Sequence, residues 1–189
     1  MPRVIVFDFF GVICSEVAPF WLEEHVGQAA GKELKRNLIH AADRGVISQA
    51  EMFADLGARS GQSASQVLAA WNSLVHVDPA MVELVDHVRT LARVSLLSNC
   101  PAPFVRDILR RHDLERRFES IVVSAEEGMA KPEPAIFHLA LSRLGVAPAD
   151  AVMVDDNPTN VQAARTVGMR AIQFESAAQC RERLDRELA

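Results

Sequence analysis

Six polar residues stand at the ends of short apolar runs or just before a helical pattern, and their types fit phosphoryl transfer. They are Asp8, Ser98, Asn99, Lys131, Asp155 and Asp156. A carboxylate can act as a nucleophile, and a hydroxyl and an amide can donate hydrogen bonds to anionic oxygens. A lysine beside a helix N-terminus can hold a phosphate group. Adjacent carboxylates repel each other unless a cation offsets their charge, and an all-oxygen site of this kind suits Mg²⁺.

The apolar runs alternate with helical patterns, which predicts a mostly parallel α/β sheet. The predicted strands are Val4–Phe7, Val94–Leu97, Ile121–Val123, Ala151–Val154 and Ala171–Phe174. The predicted core helices are Phe104–His112, Pro134–Leu144, Asn160–Val167 and about Ser176–Leu188. Because ligands bind at the carboxyl ends of parallel strands, we expect the six polar residues to meet at one edge of the sheet.

Residues 15–78 interrupt the alternation and predict a separate helical domain. The segment has no convincing strand, and its helical patterns are Pro19–Ala30, Lys32–Ala42, Ser48–Ser60 and Ser63–Leu74. Ser48 and Glu51 make a capping-box pattern, and Asp78 before Pro79 predicts a helix start on the return to the core. The predicted fold class is therefore α/β. A Rossmann-like parallel-sheet core (residues 1–14 and 79–189) carries a small inserted all-helical cap domain (residues 15–78).

Composition and charge narrow the classes of function. The chain has 189 residues and a net charge of −5, without a basic stripe or any tyrosine, so we do not expect nucleic acid as a partner. Three widely spaced cysteines predict neither a disulfide framework nor a zinc site. The N-terminal apolar run is too short for a signal peptide or a membrane span. We expect a cytoplasmic monomer or homodimer with no membrane partner.

The order of Asp8, Ser98, Lys131 and Asp155-Asp156 resembles the four sequence motifs of the haloacid dehalogenase superfamily of hydrolases. The helical segment lies where that superfamily has its small cap domain. Gly-Met-x-Lys-Pro-Glu followed by Asp-Asp-Asn-x-x-Asn is similar to the bacterial sugar-phosphate phosphatases. The narrowest resemblance is to the α-D-glucose-1-phosphate phosphatase type, which is related to the N-terminal domain of soluble epoxide hydrolase.

The resemblance implies a role for each residue in a Mg²⁺-dependent phosphatase. Asp8 attacks phosphorus and forms an aspartyl-phosphate, which water then cleaves, while Lys131 neutralises charge on Asp8 and on the phosphoryl group. Ser98, with the backbone or amide of Asn99, binds the phosphoryl oxygens. The implied Mg²⁺ ligands are Asp8, the Phe10 carbonyl, Asp155 and Asp156. The implied partner is a small-molecule phosphate ester, for which a sugar phosphate is one candidate.

Phe10 departs from the family pattern, because family phosphatases usually carry there an Asp that protonates the leaving group and later activates water. A general acid–base group contributes about 10²–10⁴ in rate. Family members without this second Asp are known in the resembled group, so its absence does not exclude turnover.

Two alternative functions follow from Phe10. The 2-haloacid dehalogenases carry an aromatic residue at this position, but they are metal-independent and lack the paired acids. A catalytically weak domain that binds a ligand or partner is the other alternative. The insert residues considered for such contacts, or for contact with a substrate, are Glu16, Trp21, His25, His40, Arg44 and Trp71.

Overall fold

The computed structural model describes residues 4–189, which form a five-stranded parallel sheet flanked by helices. The strands are β1 (Val4–Phe7), β2 (Arg93–Ser98), β3 (Ser120–Val123), β4 (Ala151–Asp155) and β5 (Arg170–Gln173). Their order in the sheet is β3-β2-β1-β4-β5, and every neighbouring pair is parallel. The predicted fold class is confirmed, and each strand end lies within one residue of its predicted position.

The central strand shows why the apolar runs become strands. All four residues of β1 are fully buried. Ile5 and Phe7 belong to one hydrophobic cluster, whereas Val4 and Val6 belong to the other. Since successive strand residues point to opposite faces, the sheet is covered on both sides, which explains an unbroken apolar run rather than an alternating one.

Helices follow or precede each strand and supply both covering layers. In the segment between β1 and β2 they are α1 (Ala18–Val26), α2 (Gln28–Leu34), a π-helical stretch (Lys35–Ile39), α3 (His40–Asp43), α4 (Gln49–Ser60), α5 (Ala64–Leu74) and α6 (Pro79–Val88). After β2 they are α7 (Ala102–Arg111), α8 (Ser124–Glu127), α9 (Pro134–Leu144), α10 (Pro158–Thr166) and α11 (Ala177–Leu188). Within residues 4–189, no helix combines the length and the apolar character needed to cross a bilayer.

The helical insert, defined as residues 15–78, leaves and rejoins the sheet at adjacent points. An isolated antiparallel bridge pairs Cys14 with Val77, and the amide of Asp78 donates to the carbonyl of Ile13 (2.9 Å). The Asp78 side chain caps α6 through the Ala80 amide, as the sequence predicts. The domain boundaries themselves stay a prediction, and residues 1–3 of the predicted core lie outside the described residues.

One helix break in the insert was predicted at the wrong glycine. The sequence pattern places a break at Gly31, but the chain breaks at Gly27, which has φ +79°. Gly31 lies inside α2, where an added Cβ would stand 3.2 Å from Leu22 Cβ. Gly31 therefore allows close packing of α2 on α1, and only Gly27 supplies the left-handed backbone conformation that ends α1.

The Ser48–Glu51 capping box is confirmed by its hydrogen bonds.

Candidate active site

The ends of β1, β2 and β4 bring the predicted residues together. β1 is the central strand and pairs with β2 on one side and β4 on the other. Asp8 follows β1, Asn99 follows β2 and Asp156 follows β4, and all three line one pocket. This is the crevice at the carboxyl ends of the strands where doubly wound sheets bind ligands.

Lys131 is a buried cation shared by two buried acids. Its Nζ lies 2.8 Å from Asp8 Oδ1 and 2.7 Å from Asp155 Oδ2. Lys131 is only 2% exposed, Asp8 7% and Asp155 0%. Burial alone would lower the pKa of Lys131, but the charges of Asp155 and Asp8 outweigh it and the pKa is raised. Lys131 is therefore an ammonium group at neutral pH, fixed against the end of β1.

The two oxygens of the Asp8 carboxyl group have different surroundings. The amide of Phe9 donates to Asp8 Oδ1 (2.7 Å), the same oxygen that contacts Lys131. These contacts leave Oδ2 as the oxygen that the described residues do not hold. Burial raises the pKa of Asp8 well above its usual value; Lys131 lowers it, and the neighbouring Asp155 and Asp156 raise it further. A cation beside Oδ2 would favour the carboxylate form.

Asn99 positions the loop that carries Lys131. Its Nδ2 donates to the Lys131 carbonyl (2.8 Å), and the Lys131 amide donates to Asn99 Oδ1 (2.9 Å). This pair of hydrogen bonds uses Asn99 Oδ1 and one of the two hydrogens on Nδ2. Whether the Asn99 backbone or its amide contacts a phosphoryl group stays a prediction.

Asp155 and Asp156 have different surroundings although they are adjacent. Asp155 Oδ1 accepts from the Asn157 amide (2.9 Å) and from Asn160 Nδ2 (3.0 Å), and its Oδ2 accepts from Lys131. Asp156 is half-buried and faces the pocket. Burial raises the pKa of Asp156, and the charge of Asp155 adds to the effect. Asp156 is thus the more available of the two for a ligand, and Asp155 holds Lys131 and Asn160.

Three carboxylates converge closely enough to share one cation. Oxygens of Asp8, Asp155 and Asp156 all lie within 4.8 Å of one another. Hard cations such as Mg²⁺ take oxygen ligands of this kind, and a single lysine does not balance three acids. The residues present therefore fit a Mg²⁺ site.

Gly11 makes room for the Asp156 carboxylate. A Cβ at position 11 would lie 2.5 Å from Asp156 Oδ2, and the residue has φ +82°. We expect Gly11→Ala to displace Asp156 and to weaken Mg²⁺ binding about 10–100-fold, in the range seen when a group that orients a metal ligand is lost. The change is measured from the Tm of each variant at a series of Mg²⁺ concentrations.

Gly61→Ala is a matched control for that substitution. Gly61 also has a positive φ (+70°), but no atom of the described part of the chain lies within 4 Å of the position that its Cβ would take. Both variants thus carry the strain of a left-handed alanine, about 1–2 kcal/mol, and only one meets Asp156. An equal Mg²⁺ affinity in the two variants would show that Gly11 does not shape the metal site.

Ser98 ends β2 with an unsatisfied hydroxyl. It is fully buried, and its Oγ has no hydrogen-bond partner among residues 4–189. Asn99 and Cys100 line the pocket at this strand end, whereas Ser98 does not. A buried hydroxyl without a partner costs free energy. Donation to a ligand oxygen would satisfy Ser98, but Ser98 does not line the pocket, so its phosphoryl-binding role stays a prediction.

Comparison with known proteins decides the family. The sequence pattern of the haloacid dehalogenase-like hydrolases matches residues 2–168. The chain belongs to this family. The predicted enzyme class, a haloacid dehalogenase-like hydrolase, is confirmed, while the narrower resemblance to glucose-1-phosphate phosphatases and the cytoplasmic location stay predictions.

Named relatives of this hydrolase include phosphatases. A sesquiterpene phosphatase of Aspergillus oryzae is 29% identical over 145 residues, which cover 74% of this chain and 74% of the relative. A phosphorylated carbohydrates phosphatase of Thermotoga maritima is 25% identical over 181 residues, 90% of this chain and 83% of the relative. A family enzyme of Bacteroides thetaiotaomicron, solved with magnesium and inorganic phosphate, is 23% identical with a TM-score of 0.78, covering 93% of this chain and 95% of that chain. This last likeness shows a shared fold.

The helical insert of the hydrolase covers the pocket with charged and aromatic side chains. Those that line it are Glu16, Lys35, Ile39, Asp43 and Trp71, together with Val17 and Ala18. The sequence named Glu16 and Trp71 as possible contacts but missed Lys35 and Asp43. An acid at the carboxyl end of a helix is unfavourable beside the helix dipole, and this was the available signal for Asp43.

The other four insert residues that the sequence predicts as possible contacts do not line the pocket. Trp21 is fully buried and stacks on His25 with ring centroids 4.6 Å apart, and neither residue lines the pocket. His40 is exposed at the start of α3 and does not line it either. Arg44 pairs with Glu133 on the core. Trp21 and His25 therefore pack within the insert, and Arg44 joins the insert to the core.

Phe10 forms part of the apolar wall of the pocket. Its ring stacks on Phe104 (centroids 6.1 Å apart) and meets Phe9 edge to face (4.9 Å). Position 10 thus contributes packing where family phosphatases usually carry an acid. A proton for the leaving group must come from another group or from water.

Proposed function

We propose that this hydrolase is a Mg²⁺-dependent phosphatase that cleaves a small phosphate monoester through an aspartyl-phosphate on Asp8. The observation that carries the proposal is the buried Lys131, which contacts Asp8 and Asp155 while Asp156 converges on the same point. The named phosphatase relatives support the same reaction class. The Mg²⁺ ligands proposed are Asp8, Asp156 and the Phe10 carbonyl, with Asp155 adjoining them.

The chain's own residues supply the nucleophile and the charge balance. Asp8 Oδ2 attacks phosphorus while Oδ1 stays fixed by the Phe9 amide and Lys131. The Lys131 ammonium offsets negative charge on the transferred phosphoryl group. Asp155 and Asn99 keep Lys131 in place through its side chain and its backbone. Mg²⁺, when bound, neutralises phosphoryl oxygens and orients them toward the nucleophile.

The pocket limits the size of the substrate. Its cavity volume is about 140 Å³, enough for on the order of ten water molecules. The organic part of the ester then lies between the apolar wall of Phe10, Phe104 and Trp71 and the charged side chains of the insert. A small phosphorylated metabolite fits these dimensions, and a sugar phosphate is the candidate that the sequence resemblance favours.

A phosphate-release screen tests the proposal directly. Sugar, nucleotide and acyl phosphates are incubated with the protein in Mg²⁺, in EDTA, and in EDTA followed by excess Mg²⁺. We expect phosphate release that disappears in EDTA and returns with Mg²⁺. If no ester in the panel releases phosphate above the protein-free blank, the chain is the weak binding domain of the second alternative.

The dehalogenase alternative has one observation in its favour, the aromatic Phe10. Against it stand three converging carboxylates and one lysine, which leave excess negative charge next to the nucleophile when no cation is bound. Chloride release from 2-chloropropionate in the presence of EDTA would favour the dehalogenase over the phosphatase.

A further inference from the structure

The proposed phosphatase lacks an acid at position 10, and the described pocket offers another source of the proton. Resting on that proposed function, we propose that Asp43 of the helical insert protonates the leaving group and afterwards accepts a proton from the attacking water. Asp43 would be a catalytic residue contributed by the insert rather than by the sheet.

Asp43 lies in the pocket where this role requires it. It is the last residue of α3 and lines the same pocket as Asp8 and Phe10. Its side chain is half-buried and makes no hydrogen bond or ion pair with the described residues. It is close enough to Lys131 to feel the charge of that residue. An unpaired carboxyl group in the same pocket as the nucleophile is therefore available to a substrate oxygen.

The turn after Asp43 is anchored on the catalytic core. Arg44 pairs with Glu133 and donates from Nη2 to the Gly128 carbonyl (3.1 Å). Gly45, with φ +68°, packs so closely that a Cβ would lie 2.4 Å from the Ala125 carbonyl oxygen. These contacts fix the insert against the loop that leads to Lys131. They hold Asp43 at the pocket through its neighbours Arg44 and Gly45, and the Asp43 side chain takes no part in them.

Burial and the neighbouring charges bring the pKa of Asp43 close to neutral pH. Burial raises its pKa to about 7; Lys35 and Lys131 lower the pKa and Glu16 raises it. The Cys100 thiol also faces it, and its own pKa is raised well above the usual value by burial. An acid–base catalyst is most effective when its pKa is close to the working pH. Asp43 meets that condition both as the acid that protonates the leaving group and as the base that accepts a proton from water.

Glu16 is the competing acid in the pocket. Burial raises its pKa too, but the neighbours that influence it include Asp156 and Asp155, at the proposed Mg²⁺ site. It lies in the segment between β1 and α1, next to Ser15, whose Oγ donates to the Leu74 carbonyl within the insert (2.7 Å). Glu16 is therefore the comparison residue in the test.

The two steps balance with Asp43 as the only proton carrier. As Asp8 Oδ2 bonds to phosphorus, the bond from phosphorus to the ester oxygen breaks, and its electron pair stays on that oxygen. The Asp43 proton moves to the oxygen, giving the alcohol and a carboxylate. Water then attacks phosphorus, the Asp8–phosphorus bond breaks, and a water proton returns to Asp43 as inorganic phosphate forms.

Asp43→Asn tests the proposal on two leaving groups. The substrates are p-nitrophenyl phosphate, whose leaving group departs without a proton, and the sugar phosphate that the wild type hydrolyses fastest. We expect kcat/KM, which reports the step that expels the leaving group, to fall about 10²–10³-fold on the sugar phosphate. On p-nitrophenyl phosphate the expected fall in kcat/KM is less than about 10-fold. Asp43→Glu should recover part of the rate, and Glu16→Gln should not reproduce the dependence on leaving group.

Protein stability supplies a readout that is independent of turnover. A carboxyl group whose folded pKa is raised to about 7 stabilises the fold fully below its unfolded pKa, about 3.9. That contribution is lost as the pH rises to about 7. Asparagine does not titrate, so the Tm of Asp43→Asn relative to wild type should be higher at pH 8 than at pH 4.

Three outcomes would overturn the assignment. Equal loss of kcat/KM on both substrates would mean that Asp43 holds the pocket together, and a rise in KM with unchanged kcat would make it a substrate-binding residue. An unchanged kcat/KM on the sugar phosphate would leave the proton to water. A wild type that releases no phosphate from any ester would instead remove the proposed function, and the role of Asp43 with it.

Discussion

Asp8→Asn is expected to lower phosphate release by about 10⁴–10⁶-fold, the scale of losses when a covalent nucleophile is removed. The amide has nearly the same shape as the carboxylate and occupies the same buried position at the end of β1. Its oxygen is a poor nucleophile, and it cannot form the aspartyl-phosphate. Lys131 keeps Asp155 as a partner, so the local charge balance improves rather than collapses.

The measurement combines steady-state kinetics with acid quenching. Wild-type protein quenched during turnover should retain phosphate on the peptide that contains Asp8, and the variant should retain none. Asp185→Asn, an exposed acid on α11, serves as the matched control and should keep the wild-type rate. If Asp8→Asn keeps a rate within about 10-fold of wild type, Asp8 is not the nucleophile.

The sheet and most of the site were predictable because both depend on local patterns. A strand buried on both faces must be continuously apolar, so runs such as Val4–Phe7 mark the strands directly. The polar residue that ends such a run then falls at the carboxyl edge of the sheet. Asp8 and Asp156 were found in this way, and both line the pocket. Lys131 was found from its place beside the start of a helix that begins at Pro134.

Contacts between distant parts of the chain were not predictable from those patterns. Arg44 pairs with Glu133 across 89 residues, and this contact aligns the insert with the core. The same limit applies to Asn99, whose amide contacts the backbone of Lys131 across 32 residues. Asp43 was missed because its importance comes from the pocket it faces. No residue adjacent to it in sequence shows that pocket.

Lys131→Met is expected to cost about 3–5 kcal/mol of the free energy of unfolding, the usual price of leaving a buried charge unpaired. Methionine fills similar space but leaves Asp8 and Asp155 as neighbouring buried carboxylates with no cation between them. The loss should shrink in acid, because Asp8, whose pKa is raised by burial, becomes protonated and one of the two uncompensated charges disappears. Mg²⁺ should restore part of the stability by taking the place of the missing charge, while phosphate release stays low.

A double variant separates lost charge balance from lost packing. In Lys131→Met/Asp155→Asn one of the two unpaired charges is gone, so its stability should exceed that of Lys131→Met alone. Lys32→Met, an exposed lysine on α2, controls for the substitution itself and should leave the free energy of unfolding unchanged. Urea unfolding at pH 5 and pH 8, with and without Mg²⁺, measures each variant. A double variant no more stable than Lys131→Met would mean that the lysine stem, rather than its charge, holds these strand ends together.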